Sequence, residues 1–343
     1  MAELVSLDEV RAAAVRVKGV TVRTPLVPFP AAAAGADAAA ESPGKPRLLV
    51  KPESLQPTGA FKLRGAYNAI SALPAGAKAN GVVAHSSGNH GFAVAYAAAL
   101  LGVKAAIVVP DNAAKVKTDA IRQTGAELIR VRPTLAARAE GSRHIATTRG
   151  YAEIPPFDDR AVIAGQGTIG LEIAEDCAAQ QPQAVLVPVG GGGLVAGVAV
   201  AIKALSPETR VIGVEPELAA DARESLRTGI RVAWPAADTA RTSADALRVE
   251  QVGELTFPHI REFVSDIVTV TEEEILETIR RLARQARLIA EPGGAVAVAA
   301  ALLRDAADLG LAAGGGPVVA VLSGGNIDPN LLAEVLAPES YTR

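Results

Sequence analysis

Lys62 is a charge on a face that should be apolar. It lies in the run Pro57-Thr-Gly-Ala-Phe-Lys-Leu-Arg-Gly-Ala-Tyr-Asn-Ala-Ile70, where Thr58 reads as an N-cap and a helix is expected to follow. At helical spacing Ala66, Ala69, Ile70 and Leu73 share one face with Lys62 in its middle, and Arg64, Asn68 and Ser71 fall on the opposite, wet face. A buried ammonium costs free energy unless it is bonded or loses its proton. A desolvated amine is what a Schiff-base nucleophile requires. The competing reading is a stem that snorkels to solvent.

Three polar junctions could serve such an amine. Gly190-Gly-Gly-Gly193 separates an apolar run from a helical pattern opening near Leu194. Consecutive glycines let backbone N–H groups approach a ligand closely, and a helix N-terminus adds partial positive charge, so the loop suits a phosphate. Gly191-x-Gly193-x-x-Ala196 also satisfies the dinucleotide fingerprint, with Glu215 at the end of the next strand as its acid. An NAD-dependent enzyme is therefore a rival reading, although it leaves Lys62 unexplained. The second junction is His85-Ser-Ser-Gly-Asn-His-Gly91, whose hydroxyls, amide and N–H groups suit a carboxylate or phenolate oxygen. The third is Ser323-Gly-Gly-Asn326, which read alone is a turn.

These junctions need strands and helices to hold them. Short apolar runs at 48–50, 82–84, 105–109, 127–131, 184–189, 211–214, 267–270 and 318–322 read as strands with helical patterns between most of them. That alternation predicts βαβ units and parallel sheets. Thr271-Glu-Glu-Glu274 is a capping box opening a helix to about Leu288. Residues 31–47, rich in Ala, Gly and Pro, read as a loop. The segment from about 75 to 155 holds three strand–helix pairs, and Pro155-Pro156 is a crossing point back to the larger body.

Bulk properties narrow the class. A chain of 343 residues suits two cores better than one. The net charge of −3 gives no nucleic-acid footprint. Cys177 is the single cysteine, so neither an internal disulfide nor a cysteine metal pair is expected. The start is acidic and lacks a signal peptide's pattern, and the longest apolar stretch, 92–103, is too short to span a bilayer. A cytoplasmic protein with no membrane partner is expected.

Pro57-Thr-Gly-Ala-Phe-Lys-Leu-Arg-Gly65, Ser86-Ser-Gly-Asn-His-Gly91, Ala164-Gly-Gln-Gly-Thr-Ile-Gly170, Gly190–Gly193 and Ser323-Gly-Gly-Asn326 occur in that order. Together they resemble the fold-type II pyridoxal-phosphate enzymes of the threonine/serine dehydratase and serine racemase group, across nearly the whole chain. The departures are Ala60 where serine is common, and Glu291-Pro-Gly-Gly294 where Glu-Pro-Ala-Gly is common. The resemblance implies an α/β protein of two parallel-sheet domains, 1–74 with 157–343 forming the large one and 75–156 a small mobile one, with the cofactor in the cleft between them. It implies that Lys62 holds pyridoxal 5′-phosphate, that Gly190, Gly191, Gly192 and Gly193 bind its phosphate, that Asn89 meets the ring hydroxyl oxygen, that Ser323 meets the ring nitrogen, and that Phe61 lies beside the ring. Ser86, Ser87 and His90 would hold the substrate carboxylate, with Arg138 assisting. Glu215, the Ala219 carbonyl and Asp221 would bind Mg²⁺ or Ca²⁺. Glu215 capping the next helix, with Asp221 solvated, is the plainer alternative for that pair.

The implied reaction is β-elimination from L-threonine or L-serine, giving a 2-oxo acid and ammonia. The freed Lys62 amine would be the base at Cα, and the cofactor the electron sink. If Ser87 exchanges a proton on the opposite face, serine racemisation accompanies elimination. A racemase and a threo-3-hydroxyaspartate dehydratase are alternatives within the group. A catalytically silent binding protein is disfavoured, because every expected polar group is present. A homodimer is the group's habit. The chain stops soon after Asn326, which leaves no room for a C-terminal regulatory domain.

Overall fold

The computed structural model describes residues 3–29, 47–86, 88–113, 115–312 and 315–337. Ten strands form two sheets: β1 (Val27–Pro28), β2 (Leu48–Pro52), β3 (Val82–His85), β4 (Ala105–Pro110), β5 (Glu127–Val131), β6 (Ala152–Glu153), β7 (Ala184–Pro188), β8 (Arg210–Pro216), β9 (Asp266–Val270) and β10 (Val318–Leu322). The larger sheet runs β1-β2-β10-β7-β8-β9 and the smaller β5-β4-β3-β6. All neighbours are parallel except β1 against β2. Every strand read from the sequence is present within two residues at either end, whereas the two-residue strands β1 and β6 are too short to leave a periodic signal. The 31–47 loop falls almost entirely outside the described residues.

The central strands are apolar on both sides because helices cover both faces. In β7, Ala184 and Leu186 pack under the helix Pro292–Leu303, while Val185 and Val187 face the helix Gly193–Leu205. The capping box at Thr271 and Glu274 forms as read. Its helix keeps α geometry only to Arg281, passes through a π turn over Leu282–Ala286, and stops at Arg287 in the left-handed region.

The helix that follows Lys62 spans Lys62–Ala72 and corrects two expectations. Thr58 does not cap it: Phe61 occupies the cap position and no side chain bonds there. Nor is its second face wet, since Arg64 and Asn68 are buried. The helix lies between the two sheets' layers. Leu63, Ala66, Ala69 and Ile70 join the core of the smaller sheet, and the opposite face packs on the helix Arg160–Asp176. A Cβ on Gly165 would lie 2.6 Å from the Gly65 Cα, so this crossing needs glycine on both helices. Gly65 N–H donates to Gln166 Oε1 at 3.2 Å, and Asn68 Nδ2 donates to the Ala161 carbonyl at 2.7 Å. The Ala164–Gly170 motif is thus a packing surface rather than a site.

Arg64 is held by charge. It donates to Glu53 (2.7 Å) and to Glu172 (2.7 Å), and Lys51 donates to Glu172 (2.6 Å). Lys51, Glu53 and Arg64 have no exposed surface. Burial pushes the Glu53 carboxyl up, but the Arg64 and Lys51 charges outweigh it and hold Glu53 below its ordinary value. The cluster ties β2, the Lys62 helix and the Arg160–Asp176 helix into one unit immediately behind Lys62.

Candidate active site

Lys62 opens the helix Lys62–Ala72. Its Nζ donates to the Pro156 carbonyl at 2.6 Å and lies 5.0 Å from the Phe61 ring centroid. Lys62 is half-buried, and burial drives its pKa down to about 8 against an opposing pull from Glu291. Because the amine is bonded to a backbone carbonyl and not carried out to solvent, the snorkelling reading fails. Pro156, read as a crossing point, also holds the amine.

Pro156 connects Lys62 to the glycine loop through its neighbour. Cβ atoms on Gly191 or Gly193 would collide with Phe157. Gly192 has φ +91°, and a Cβ there would lie 2.7 Å from Thr256 Oγ1, so the turn requires glycine. The Gly191 carbonyl is fixed outward by Thr256 Oγ1 (2.7 Å) and Gly253 N–H (3.2 Å). Asp158 accepts N–H groups from Glu254, Leu255 and Thr256 and so fixes the segment that supports the loop. The helix Gly193–Leu205 starts at this loop with no side-chain cap. Its N-terminus and the glycine N–H groups make an anion site beside a desolvated amine, which fits an aldehyde that carries a phosphate.

The polar junctions converge here. Phe61 N–H donates to the Ser323 carbonyl at 3.0 Å, which sets Ser323 beside the start of the Lys62 helix. Ser323 is buried, and its hydroxyl lies 3.4 Å from the Gly293 carbonyl. Asn89 opens the helix Asn89–Leu100, whose start also lacks a side-chain cap. Asn89 Nδ2 donates to Glu291 Oε1 at 2.5 Å, and Asn89 Oδ1 accepts from Asn326 Nδ2 at 2.8 Å. Ser86 Oγ accepts the Gly88 N–H at 3.2 Å. Ser87 lies outside the described residues.

The His90 ring does not suit an anion. Its Nε2–H donates to the Ile154 carbonyl at 2.7 Å, while Nδ1 is buried without a hydrogen-bond partner. Burial and the Lys62 charge push its pKa down to about 3, so Nδ1 carries no proton to offer. What residue 90 can offer a carboxylate is its backbone N–H at the helix start. Arg138 is half-buried on the helix Leu135–Arg149, its Nε has no hydrogen-bond partner, and its charge helps hold the His85 pKa down after burial itself. It thus lies near His85 on the smaller sheet's side.

Glu215 and Asp221 come together as expected, though with a second role for Glu215. Both are fully buried. Glu215 accepts the Ala222 N–H (3.0 Å) and the Arg223 N–H (2.8 Å), so it does cap the following helix. Asp221 is not solvated, and neither of its carboxylate oxygens has a hydrogen-bond partner. Burial pushes Asp221 up to about 7, and burial together with Asp221 raises Glu215 well above its ordinary value. An orphaned Asp221 carboxylate beside the buried Glu215 fits a hard cation bound through oxygen. Among the described residues no cluster of three or more His, Cys, Asp or Glu offers another metal site. A ribose contact needs an accessible carboxylate, and Glu215 is not one.

Neither Glu291 nor Phe157 is a site candidate from the sequence. A glutamate before proline at a helix start reads as an ordinary favourable charge at the N-terminus. Phe157 carries no pattern at all.

The sequence model for "Pyridoxal-phosphate dependent enzyme" matches residues 17–324. The L-threonine ammonia-lyase of Thermotoga maritima is 40% identical over 97% of this chain and 78% of its own length. A serine racemase of Arabidopsis thaliana is 40% identical over 82% of this chain and 83% of its own. The crystal structure of a T.th. threonine deaminase superposes with a TM-score of 0.82 at 45% identity, covering 94% of this chain and 99% of that one.

Proposed function

The chain belongs to the pyridoxal-phosphate-dependent enzymes, with fold-type II architecture, and on that premise we propose that it is an ammonia-lyase acting on L-threonine and L-serine. The observation that carries this reading is the desolvated Lys62 amine beside an uncapped glycine cradle.

When bound, the cofactor supplies an electron sink for the pair released at the substrate Cα. The chain's residues do the rest. Gly190 to Gly193 hold the phosphate through N–H groups, Asn89 donates to the ring oxygen, Ser323 meets the ring nitrogen, and Phe61 flanks the ring. Ser86, Ser87 and the N–H groups at the start of the Asn89 helix hold the substrate carboxylate, with Arg138 assisting. Lys62 takes the Cα proton. An amine whose pKa stands near 8 can accept and return a proton close to neutral pH, which an ordinary lysine cannot. Ser323 is a neutral partner for the ring nitrogen.

A divalent cation, Mg²⁺ or Ca²⁺, at Glu215, Ala219 and Asp221 braces the segment after β8, and the orphaned Asp221 carboxylate beside the buried Glu215 supports it. The chain divides into a large unit, 1–74 with 157–343, and a small mobile one, 75–156. The single cysteine accords with a cytoplasmic enzyme, and among the described residues no helix is long and apolar enough to cross a membrane. The enzyme acts as a homodimer on a small amino acid. Racemisation of serine through Ser87 is the second reading, favoured by the racemase relative.

Loading the protein with pyridoxal phosphate and assaying 2-oxo-acid release from L-threonine, L-serine and threo-3-hydroxyaspartate tests this. A yellow protein releasing 2-oxobutanoate and pyruvate is expected. Release from hydroxyaspartate alone would reassign the substrate, and release from none would overturn the lyase reading.

A further inference from the structure

We propose that Glu291 is a positioning residue that orients the Asn89 amide and supplies the negative charge facing Lys62. The inference rests on the cofactor reading above. An acid before Pro292 is ordinarily explained as a helix cap, yet the Glu291 side chain makes no capping bond to the helix Pro292–Leu303. It turns instead toward Asn89 and is only 5% exposed. Its backbone N–H donates to the Gly324 carbonyl at 3.0 Å, next to Ser323. A Cβ on Gly324 would collide with its carboxylate, so the end of β10 is shaped around it.

The Asn89 amide has one orientation in this setting. Nδ2 donates to Glu291 Oε1 at 2.5 Å, and Oδ1 accepts from Asn326 Nδ2 at 2.8 Å. Asn326 is fixed in turn by donating to the Thr58 carbonyl at 2.9 Å. A flipped Asn89 would set amide against amide and oxygen against carboxylate. One N–H of Asn89 Nδ2 is left for a ligand oxygen, and Asn89 presents no acceptor beside it.

Two titratable groups act electrostatically on Lys62, Glu291 and His90. His90 is neutral, so Glu291 is the counter-charge. Burial drives the lysine toward the neutral amine and Glu291 opposes it. Removing that charge while keeping the shape should carry the Lys62 midpoint below about 8.

Capture of pyridoxal phosphate by the apoenzyme reads both roles without turnover. Visible absorbance and borohydride trapping on Lys62 would be followed from about pH 6 to pH 10, the range that brackets a perturbed lysine, in wild type, Glu291→Gln, Glu291→Leu and Asn326→Ala. Wild-type capture should rise through about pH 8. Glu291→Gln still accepts from Asn89, so affinity should hold within about threefold while the midpoint falls by about one unit. Glu291→Leu should show the same fall and about tenfold weaker capture, because the charged hydrogen bond is gone. Asn326→Ala should weaken capture and leave the midpoint in place. A Glu291→Gln midpoint equal to wild type, or an equal shift in Asn326→Ala, overturns the charge role. A Glu291→Gln apoprotein without native circular dichroism assigns Glu291 to the fold and overturns the inference. A wild type that captures no cofactor overturns the cofactor reading and takes this inference with it.

Discussion

At Lys62, losing the amine and losing the fold are separable events. Lys62→Ala removes a charge that burial disfavours, at the loss of one bond to the Pro156 carbonyl, so the apoprotein should melt no lower than wild type. Turnover should fall by about 10²- to 10⁴-fold or more, the usual span for a lost proton-transfer group. Borohydride-fixed pyridoxyl on a lysine other than 62 in the wild type would show that the base has been misassigned. Ser87→Ala should abolish any serine racemisation and retain much of the pyruvate release. Chiral analysis of residual serine alongside pyruvate checks this, and equal loss of both would make Ser87 a substrate-holding residue only. Lys62 is legible in the sequence because a charge interrupts an apolar stripe, a pattern internal to one helix. Arg64 and Asn68 mislead for the complementary reason. Their burial comes from a second layer, the helix Arg160–Asp176, which a single helix's periodicity cannot report. The bond of His90 Nε2 to the Ile154 carbonyl is likewise not legible in its motif, because its partner follows β6, far along the chain.

Among the elements, the segment from β8 into the helix Asp221–Thr228 carries the most tension. Asp221 stands near 7 in the fold against an ordinary 3.8, and Glu215 is raised as well. With raised acids, the stabilising contribution is complete below about pH 4 and is lost as pH climbs through about 7, because the unfolded chain ionises freely and the fold does not. Chelated protein should therefore melt progressively lower between about pH 5 and pH 8. Added Mg²⁺ or Ca²⁺ should flatten that slope by binding the ionised pair. Asp221→Asn should melt with a shallower pH dependence, since burial still raises Glu215, and show no response to cation. Identical slopes in chelator and in Mg²⁺ or Ca²⁺ would remove the cation from the account. The strands themselves are legible because both faces of the sheets are buried and each central strand is a short apolar run bounded by polar turns. The caps are less so. Thr58 has the chemistry of an N-cap, but the chain turns at Gly59, with φ +72°, and runs on to Phe61 before the helix begins.

On the scale of the whole molecule, the helix Lys62–Ala72 joins the smaller sheet's core and packs on the helix Arg160–Asp176, whose Ile169 and Ile173 join a core of the larger sheet, and the proposed small unit, 75–156, begins just after Lys62–Ala72. If that unit closes over substrate, amide exchange within it should slow when a non-reacting amino acid is added to the loaded enzyme, while the β7–β10 core stays unchanged. Uniform protection would show that the molecule tightens as one body. The two-sheet plan is legible from the strand–helix alternation, but the helix-on-helix contact that joins the two cores is not, because no local pattern marks which helices will pair. Behind the Lys62 helix, Lys51, Glu53, Arg64 and Glu172 form a set of two positive and two negative groups. Arg64→Met should destabilise the protein by about 3–5 kcal/mol, since it strands buried carboxylates, whereas replacing the whole set with apolar residues of similar volume should cost far less. Thermal melts of the single and the combined variants check this, and a combined variant as unstable as the sum of its singles would refute it. The consequence concerns how this sequence can change over generations. The four positions form one hereditary unit, closed to stepwise substitution and open only to joint replacement, so a lineage that drifts freely elsewhere would carry this quartet forward intact beside its reactive lysine.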